Sequence, residues 1–178
     1  MASGKHLGFL KDLGAFRFKL WLDGNAERAL KEMGVGEGEK VLDFGCGSGT
    51  YTLPAAKLVG GHGVVYAQDV ARSALEKLRR DAAAKGMENV STILSEGGSD
   101  IPLDNEVLDR VMLIDVLQEV QDRRVLLGEA FRVLKLEGVL VVYPMHIDPG
   151  EVVVDASSSG FKLEKNVVKG RLLIFKKA

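Results

Sequence analysis

Apolar residues along the chain fall into short, nearly unbroken runs separated by stretches with helical spacing. Val41–Phe44 is one such run, Val64–Gln68 a second entered by a glycine turn, and "NVSTILS" (Asn89–Ser95) a third. "LDRVMLID" (Leu108–Asp115) and "GVLVVYPM" (Gly138–Met145) are the fourth and fifth. Apolar residues at successive rather than alternate positions predict strands buried on both faces. Between the runs the period changes. Thr50–Val59 reads as a helix with Pro54 near its first turn, where a missing N–H is tolerated. Ala71–Lys85 puts Leu75, Leu78 and Ala82 on one face and stops at Gly86. Asp122 is placed to cap a helix running to Leu134, with Glu129 and Arg132 exposed. Ahead of the first strand, Asn25–Met33 reads as a short helix stopped by Gly34. Met1–Leu22 reads as irregular, with Phe9, Phe16, Phe18 and Trp21 among basic residues. Strands alternating with helices predict parallel βαβ units and an α/β sheet covered on both sides.

The end of the chain changes character. "EVVVDASSSG" (Glu151–Gly160) is weakly helical at best, because valines and a serine run disfavour a helix. Phe161–Val168 and Arg171–Lys177 are strand-like and joined by Lys169-Gly170, too short a link for a crossover helix, so they must pair antiparallel. The expected organisation is an N-terminal helical extension over residues 1–34, placed to act as a lid, and one α/β domain over residues 35–178.

Composition narrows the partners. A chain of 178 residues with 46% hydrophobic and 28% charged residues can bury one proper core. A formal net charge of -1 gives no global field for duplex nucleic acid or an anionic membrane. The last hairpin is locally basic, with Lys162, Lys165, Lys169, Arg171, Lys176 and Lys177 against Glu164. A solvated edge kept soluble by lysines explains this, with RNA docking as the alternative. Cys46 is the one cysteine, and His6, His62 and His146 are far apart, so neither a disulfide framework nor a metal site is expected. Lys5, Lys11, Asp12, Arg17 and Lys19 break any apolar signal-peptide core, and no run approaches membrane-spanning length; a cytoplasmic protein is expected.

The chemistry concentrates in "KVLDFGCGSGTYT", Lys40–Thr52. Gly45, Gly47 and Gly49 follow the first strand, where ligands of open α/β sheets bind, and can take positive φ and let a ligand lie against bare backbone. No Lys-Ser/Thr follows at P-loop spacing. The dinucleotide fingerprint fails as well, since Thr50 stands where its third glycine belongs. Asp43, two residues ahead of Gly45, would repel a pyrophosphate but suits an ammonium or sulfonium. Asp69, at the end of the second strand, is placed to accept hydrogen bonds from ribose hydroxyls, or to cap the helix from Ala71, or both.

These segments, together with "VVYAQDVARSALEKLR", "IPLDNEVLDRVMLIDVLQEV", "AFRVLKLEGVLVV" and "SSGFKLEK…LLIFKK", resemble a class I S-adenosylmethionine-dependent methyltransferase from about Val35 to the C-terminus. Within that superfamily the chain is similar to the small-molecule branch that contains the ubiquinone/menaquinone-biosynthesis C-methyltransferases. The resemblance implies a Rossmann-like, doubly wound seven-stranded sheet in the order 3-2-1-4-5-7-6, with strand 7 antiparallel. It implies S-adenosylmethionine as cofactor and S-adenosylhomocysteine as product. By position, Asp43 resembles the acid that supports the methionine amino group, and Gly45, Cys46, Gly47 and Gly49 the loop against the amino-acid moiety. Asp69 resembles the ribose ligand, Val70 the apolar residue beside adenine, and Asp115 a contact to the methionine portion or the substrate. The chain also departs from the pattern. Where relatives carry an acid that receives the adenine amino group stands Gly97, with Glu96 one residue earlier, so Glu96 or backbone atoms take that contact. "KPGG" is "KLEG" at Lys135–Gly138, and a histidine of the fourth-strand segment is Gln118.

Methyl transfer from a sulfonium needs alignment and exclusion of water more than a catalytic residue. Asp115 and His146 are the candidates for proton removal, with Glu119 and Tyr143 behind them. Cys46, in mid-loop, is a small filler rather than a nucleophile. The fourth strand ends "LIDV", not the Asn/Asp-Pro-Pro-aromatic run used on exocyclic amines, and no Pro-Cys pair serves cytosine chemistry. A small-molecule acceptor is therefore expected, with a partner subunit lacking turnover, or an RNA or protein methyltransferase, as alternatives. The segment between the fifth strand and the hairpin is short, so any lid must come from the aromatic N-terminus or from a second chain in a homodimer.

Overall fold

The computed structural model describes residues 3–178, with side chains from Leu13 onward. Seven strands form one sheet: β1 (Lys40–Phe44), β2 (Val64–Asp69), β3 (Val90–Leu94), β4 (Leu108–Ile114), β5 (Leu134–Tyr143), β6 (Phe161–Val167) and β7 (Leu172–Lys177). Their order is β3-β2-β1-β4-β5-β7-β6. The first five pair in parallel, and β7 runs antiparallel to both β5 and β6. Helices α1 (Ser3–Gly24), α2 (Ala26–Glu32), α3 (Thr52–Val59), α4 (Arg72–Ala84), α5 (Arg123–Val133) and α6 (Pro149–Ser158) connect and cover it. Two apolar clusters lie on the two faces. One joins Phe18, Leu22, Leu30 and Met33 to Val41, Ala55, Met112 and Ile174, and the other joins Leu42, Leu113, Leu126 and Ala130 to Leu140, Val152, Phe161 and Phe175.

Four expectations are corrected. The extension is helical as expected, but Ser3–Gly24 is one continuous helix where Met1–Leu22 read as irregular. Its inward residues Ala15, Phe18 and Leu22 are buried, Phe18 packs 5.3 Å from the Tyr143 ring, and the Tyr143 hydroxyl donates to the Ala15 carbonyl at 3.1 Å. Helical order here comes from packing on the sheet rather than from local propensity. Phe9 lies outside the described side chains. Pro149–Ser158 is likewise a full helix: Asp148 accepts from the Gly150 N–H at 2.8 Å, Pro149 fills the first turn, and Val152 and Ala156 are buried. Capping and burial outweigh the valines' weak preference against helix.

Third, Glu129 and Arg132 are half-buried and hold the loop ahead of β4 instead of facing solvent. Arg132 donates to the Ile101 and Leu103 carbonyls at 2.8 Å each, and Glu129 accepts from the Ile101 N–H at 3.2 Å. Fourth, not every hairpin lysine is solvated. Lys177 is buried, donating to the Leu134 carbonyl at 2.7 Å and lying 4.6 Å from the centre of the Phe131 ring. Lys169 sits 4.2 Å over Trp21, so the β6–β7 turn also clasps α1. In addition, β5 begins at Leu134, so "KLEG" lies within the strand as an irregular stretch with Glu137 at φ 63°. The Asp122 cap is present as expected, its carboxylate accepting from the Arg124 and Val125 N–H groups.

Candidate functional site

At the carboxyl edge of the sheet the loop after β1 folds back onto the end of β2. The Gly45 and Cys46 N–H groups donate to the Gln68 carbonyl at 2.8 and 3.1 Å. The Gly47 N–H donates to Asp69 Oδ2 at 2.7 Å, and the Gly49 N–H to the Cys46 carbonyl at 3.0 Å. Every one of these donors is turned inward. A phosphate cradle needs them pointing at the ligand, so this loop is not built to hold an anion. Gly45, Gly47 and Gly49 take φ of 75°, 52° and 92°. A Cβ on Gly49 would run into buried Leu78 and one on Gly45 into Val116, whereas at Gly47 it would meet nothing within 4 Å. Gly45 and Gly49 serve close packing, and Gly47 leaves open space.

Asp69 is both a cap and a clasp. Its Oδ1 accepts from the Ala71 N–H at 2.8 Å while Oδ2 holds Gly47. Asp43 is buried beneath the loop, accepting from the Thr52 hydroxyl at 2.6 Å. Burial, with a smaller push from the Asp69 charge, raises its carboxyl to about 6 against the opposing Thr52 hydrogen bond and Lys19 charge. Cys46 packs on Ala67, Leu75 and Leu78, and burial holds its thiol protonated, well above the ordinary thiol range.

A cavity of about 470 Å³ opens beside the loop, lined by Gly45, Asp69, Val70, Gly97, Asp115 and Glu119 among others. Val70 leaves 63% of its surface exposed there. Asp115 has φ 59°, a left-handed conformation uncommon outside glycine. Gln118 fixes it, donating from Nε2 to Oδ1 at 2.7 Å and to its carbonyl at 2.9 Å. His146 lines a different cavity of about 480 Å³, between α1, the residues after β5 and the β6–β7 turn, with Tyr143 and Arg171. The two candidates for proton removal therefore line separate cavities. Burial raises the Tyr143 phenol, and its proton is committed to Ala15, which leaves it a packing role. Glu96 is not among the residues lining either cavity.

Sequence reasoning missed the contribution of α1. Asp23 accepts from Lys19 at 2.7 and 2.8 Å and from the Tyr51 hydroxyl at 2.5 Å, pinning α1 to the residue that follows the glycine loop. Nothing in the local pattern pairs those positions. It also missed Gln68, a polar residue in an otherwise apolar strand, which was a legible signal.

Raising the Asp43 pKa on folding makes its ionised form costly to the protein alone. Its stabilising contribution is present below the ordinary carboxylate range and is lost as pH rises through about 6. A cationic ligand group nearby favours the carboxylate instead. Affinity for such a ligand is therefore expected to fall by up to about tenfold per pH unit below about 6, with proton uptake on release. Calorimetry from pH 5 to 8 in buffers of different ionisation enthalpy checks this, and Asp43→Asn should flatten the profile.

A methyltransferase-domain family model matches residues 36–168. Demethylmenaquinone methyltransferases of Staphylococcus aureus are similar, that of strain MRSA252 being 35% identical over 123 residues, or 69% of this chain and 48% of the relative. The chain thus spans about half the length of the curated relatives it matches. A SAM-dependent methyltransferase from Aquifex aeolicus superposes with a TM-score of 0.78 at 25% identity, covering 92% of this chain and 98% of that one. The [4+2]-cyclase SpnF, 17% identical with a TM-score of 0.70 over 84% of this chain and 62% of its own, shares the fold alone. The matched family model, the curated relatives and the superposed fold agree: the chain belongs to the methyltransferase-domain family, within the class I S-adenosylmethionine-dependent methyltransferases.

Proposed function

We propose that the protein transfers the methyl group of S-adenosylmethionine to a small-molecule acceptor by in-line displacement. The observation that carries this reading is a glycine loop whose N–H groups face inward, with Asp43 beneath it and Asp69 at the mouth of one cavity. The residues present fit the cofactor's chemistry. Gly47 and Gly97, both at positive φ, leave room where a Cβ would stand. The Asp69 carboxylate offers about four acceptor sites and spends two on backbone N–H groups, leaving capacity for ribose hydroxyls. Val70 presents an apolar face to a purine, and Asp43 favours the cationic amino-acid end.

When bound, the cofactor supplies a methyl group on a positively charged sulfur. The chain's own residues bind it, orient it and exclude water, and alignment of this kind is worth on the order of 7–11 kcal/mol. Asp115, held by Gln118 at the β4 end of the cavity, faces the acceptor or the methionine portion, and His146 serves an acceptor reaching the second cavity. The name of the Staphylococcus aureus relatives specifies demethylmenaquinone, which supports a small-molecule acceptor here. Calorimetry should detect saturable S-adenosylhomocysteine binding below roughly 1 mM. No heat of binding at that concentration would overturn the reading.

One observation favours the second reading, a cofactor-binding partner subunit without turnover. Leu13, Phe16 and Leu20 form an exposed apolar stripe on α1 at helical spacing, each 43–57% exposed. Methyl transfer by the isolated protein to any member of a metabolite panel decides against that reading; a stable complex with no turnover decides for it.

A further inference from the structure

One residue of the cavity wall carries an oxygen that nothing satisfies. Gln68, next to last in β2, is 1% exposed and lines the cavity. Its Nε2 donates to the Asp100 carbonyl at 2.8 Å, while its Oε1 is buried without a hydrogen-bond partner among the described residues. Turning the amide over does not help. That would set two acceptors 2.8 Å apart at Asp100 and strand an N–H group in place of the oxygen. A buried acceptor left this way calls for a donor from outside the chain. Oε1 has almost no accessible surface in this conformation, so a donor carried by a ligand in the cavity meets it only once the adjoining wall moves aside.

The surroundings say which donor. Ser95, Gly97 and Gly98 line the same cavity. Gly97 and Gly98 have φ of 104° and 93°, and a Cβ on Gly97 would meet nothing within 4 Å. At the position where the family pattern carries an acid there is thus open space bounded by two conformationally free residues, and this is the wall able to shift toward a purine edge. Val70, apolar and exposed, flanks it.

We propose that Gln68 reads the exocyclic amino group of the cofactor's adenine, Oε1 accepting the N–H that an acid after β3 would otherwise accept. This rests on the cofactor reading above. An adenine N6 carries two N–H donors. A hypoxanthine carries a carbonyl oxygen there, which would set acceptor against acceptor and leave Oε1 unsatisfied. The site therefore discriminates between the two bases through Gln68.

The experiment measures binding of S-adenosylhomocysteine and S-inosylhomocysteine to the full chain by calorimetry, for the natural protein and for Gln68→Met, which keeps length and removes the acceptor. The natural protein is expected to prefer the adenine ligand by about 10–100-fold. Gln68→Met should bring that ratio to within about threefold of unity, mainly by losing adenine affinity. A purely structural Gln68 would change stability or both affinities together and leave the ratio where it was, overturning the proposal. The ratio on the natural protein is decisive by itself should the variant not fold: equal affinities overturn the proposal too. Failure of S-adenosylhomocysteine to bind at all overturns the cofactor reading and this proposal with it, whereas binding without discrimination overturns this proposal alone.

Discussion

Asp69→Ala is expected to weaken S-adenosylhomocysteine binding by about 100-fold or more, with a smaller loss of stability. The carboxylate holds Gly47 and Ala71 through charge-assisted hydrogen bonds of 2.7 and 2.8 Å. Hydrogen bonds to a charged group are worth roughly 1.5–3 kcal/mol each, and alanine removes both together with any made to the ribose. The Gly47 and Ala71 N–H groups then turn to water, which discounts the loss of stability, but the loop is no longer fixed to the end of β2. A ligand must reorder it on binding, so the cost moves into affinity. Asp69→Asn separates the roles. Its carbonyl oxygen can keep one of the two backbone bonds, while its amide cannot accept from a second group. An intermediate loss of affinity with near-normal melting is expected. Calorimetry and thermal denaturation of both variants check this. Unchanged affinity in Asp69→Ala, with melting lowered, would show that Asp69 is a cap and clasp only.

The parallel strands were legible because burial on both faces leaves a direct trace, apolar residues at successive positions, and each of the five runs became a strand. The hairpin was legible because Lys169-Gly170 leaves no room for a crossover. The strand order came with the family resemblance; apolar pattern alone does not say which parallel strand lies beside which. What stayed hidden depends on partners distant in sequence. Phe18 gives no local helical signal of consequence, and its partners Tyr143 and Arg171 lie more than a hundred residues away. Lys177 looks like a solubilising charge until the Leu134 carbonyl and the Phe131 ring surround it.

The candidate site divides along the same line. The positions of Asp43, Asp69 and the glycines follow from spacing along a single βαβ unit. The direction of the loop N–H groups does not, because it depends on the fold-back of the loop onto the Gln68 carbonyl. Gln118 could be noted as a departure from the family's histidine, but its grip on Asp115 needs the left-handed backbone at Asp115 to bring the two side chains together. The separation of Asp115 from His146 was hidden for a similar reason. Both follow neighbouring parallel strands, yet one faces the cavity beside the glycine loop and the other the cavity beneath α1.

Arg110→Met is expected to cost about 3–5 kcal/mol of stability while leaving cofactor affinity of the folded protein unchanged. Arg110 is buried at the start of β4, and its guanidinium forms a two-pronged pair with Glu39, Nε to Oε2 at 3.0 Å and a terminal nitrogen to Oε1 at 2.9 Å. Two further N–H groups donate to the carbonyls of Met33 and Gly34, at 2.9 and 2.8 Å, just past the end of α2. One side chain therefore ties the end of α2 to the sheet. Methionine fills much of the same volume but strands two carbonyls and the part-exposed Glu39 carboxylate, and these unpaired groups together dominate the penalty. For a chain of this size the melting temperature should fall by about 10 °C. Adding Glu39→Met should recover a good part of the loss, since removing both partners of a buried pair costs much less than removing one. Arg110→Lys should recover little, because an ammonium cannot reproduce the fork across three acceptors. Along this segment the cavity beside the glycine loop is first reached at Asp115, five residues past Arg110 or roughly 16 Å away, so affinity measured well below the melting transition should not move. A loss below about 1 kcal/mol in chemical denaturation would mean that Glu39, being part-exposed, recovers its hydration and that α2 is held by its apolar face alone.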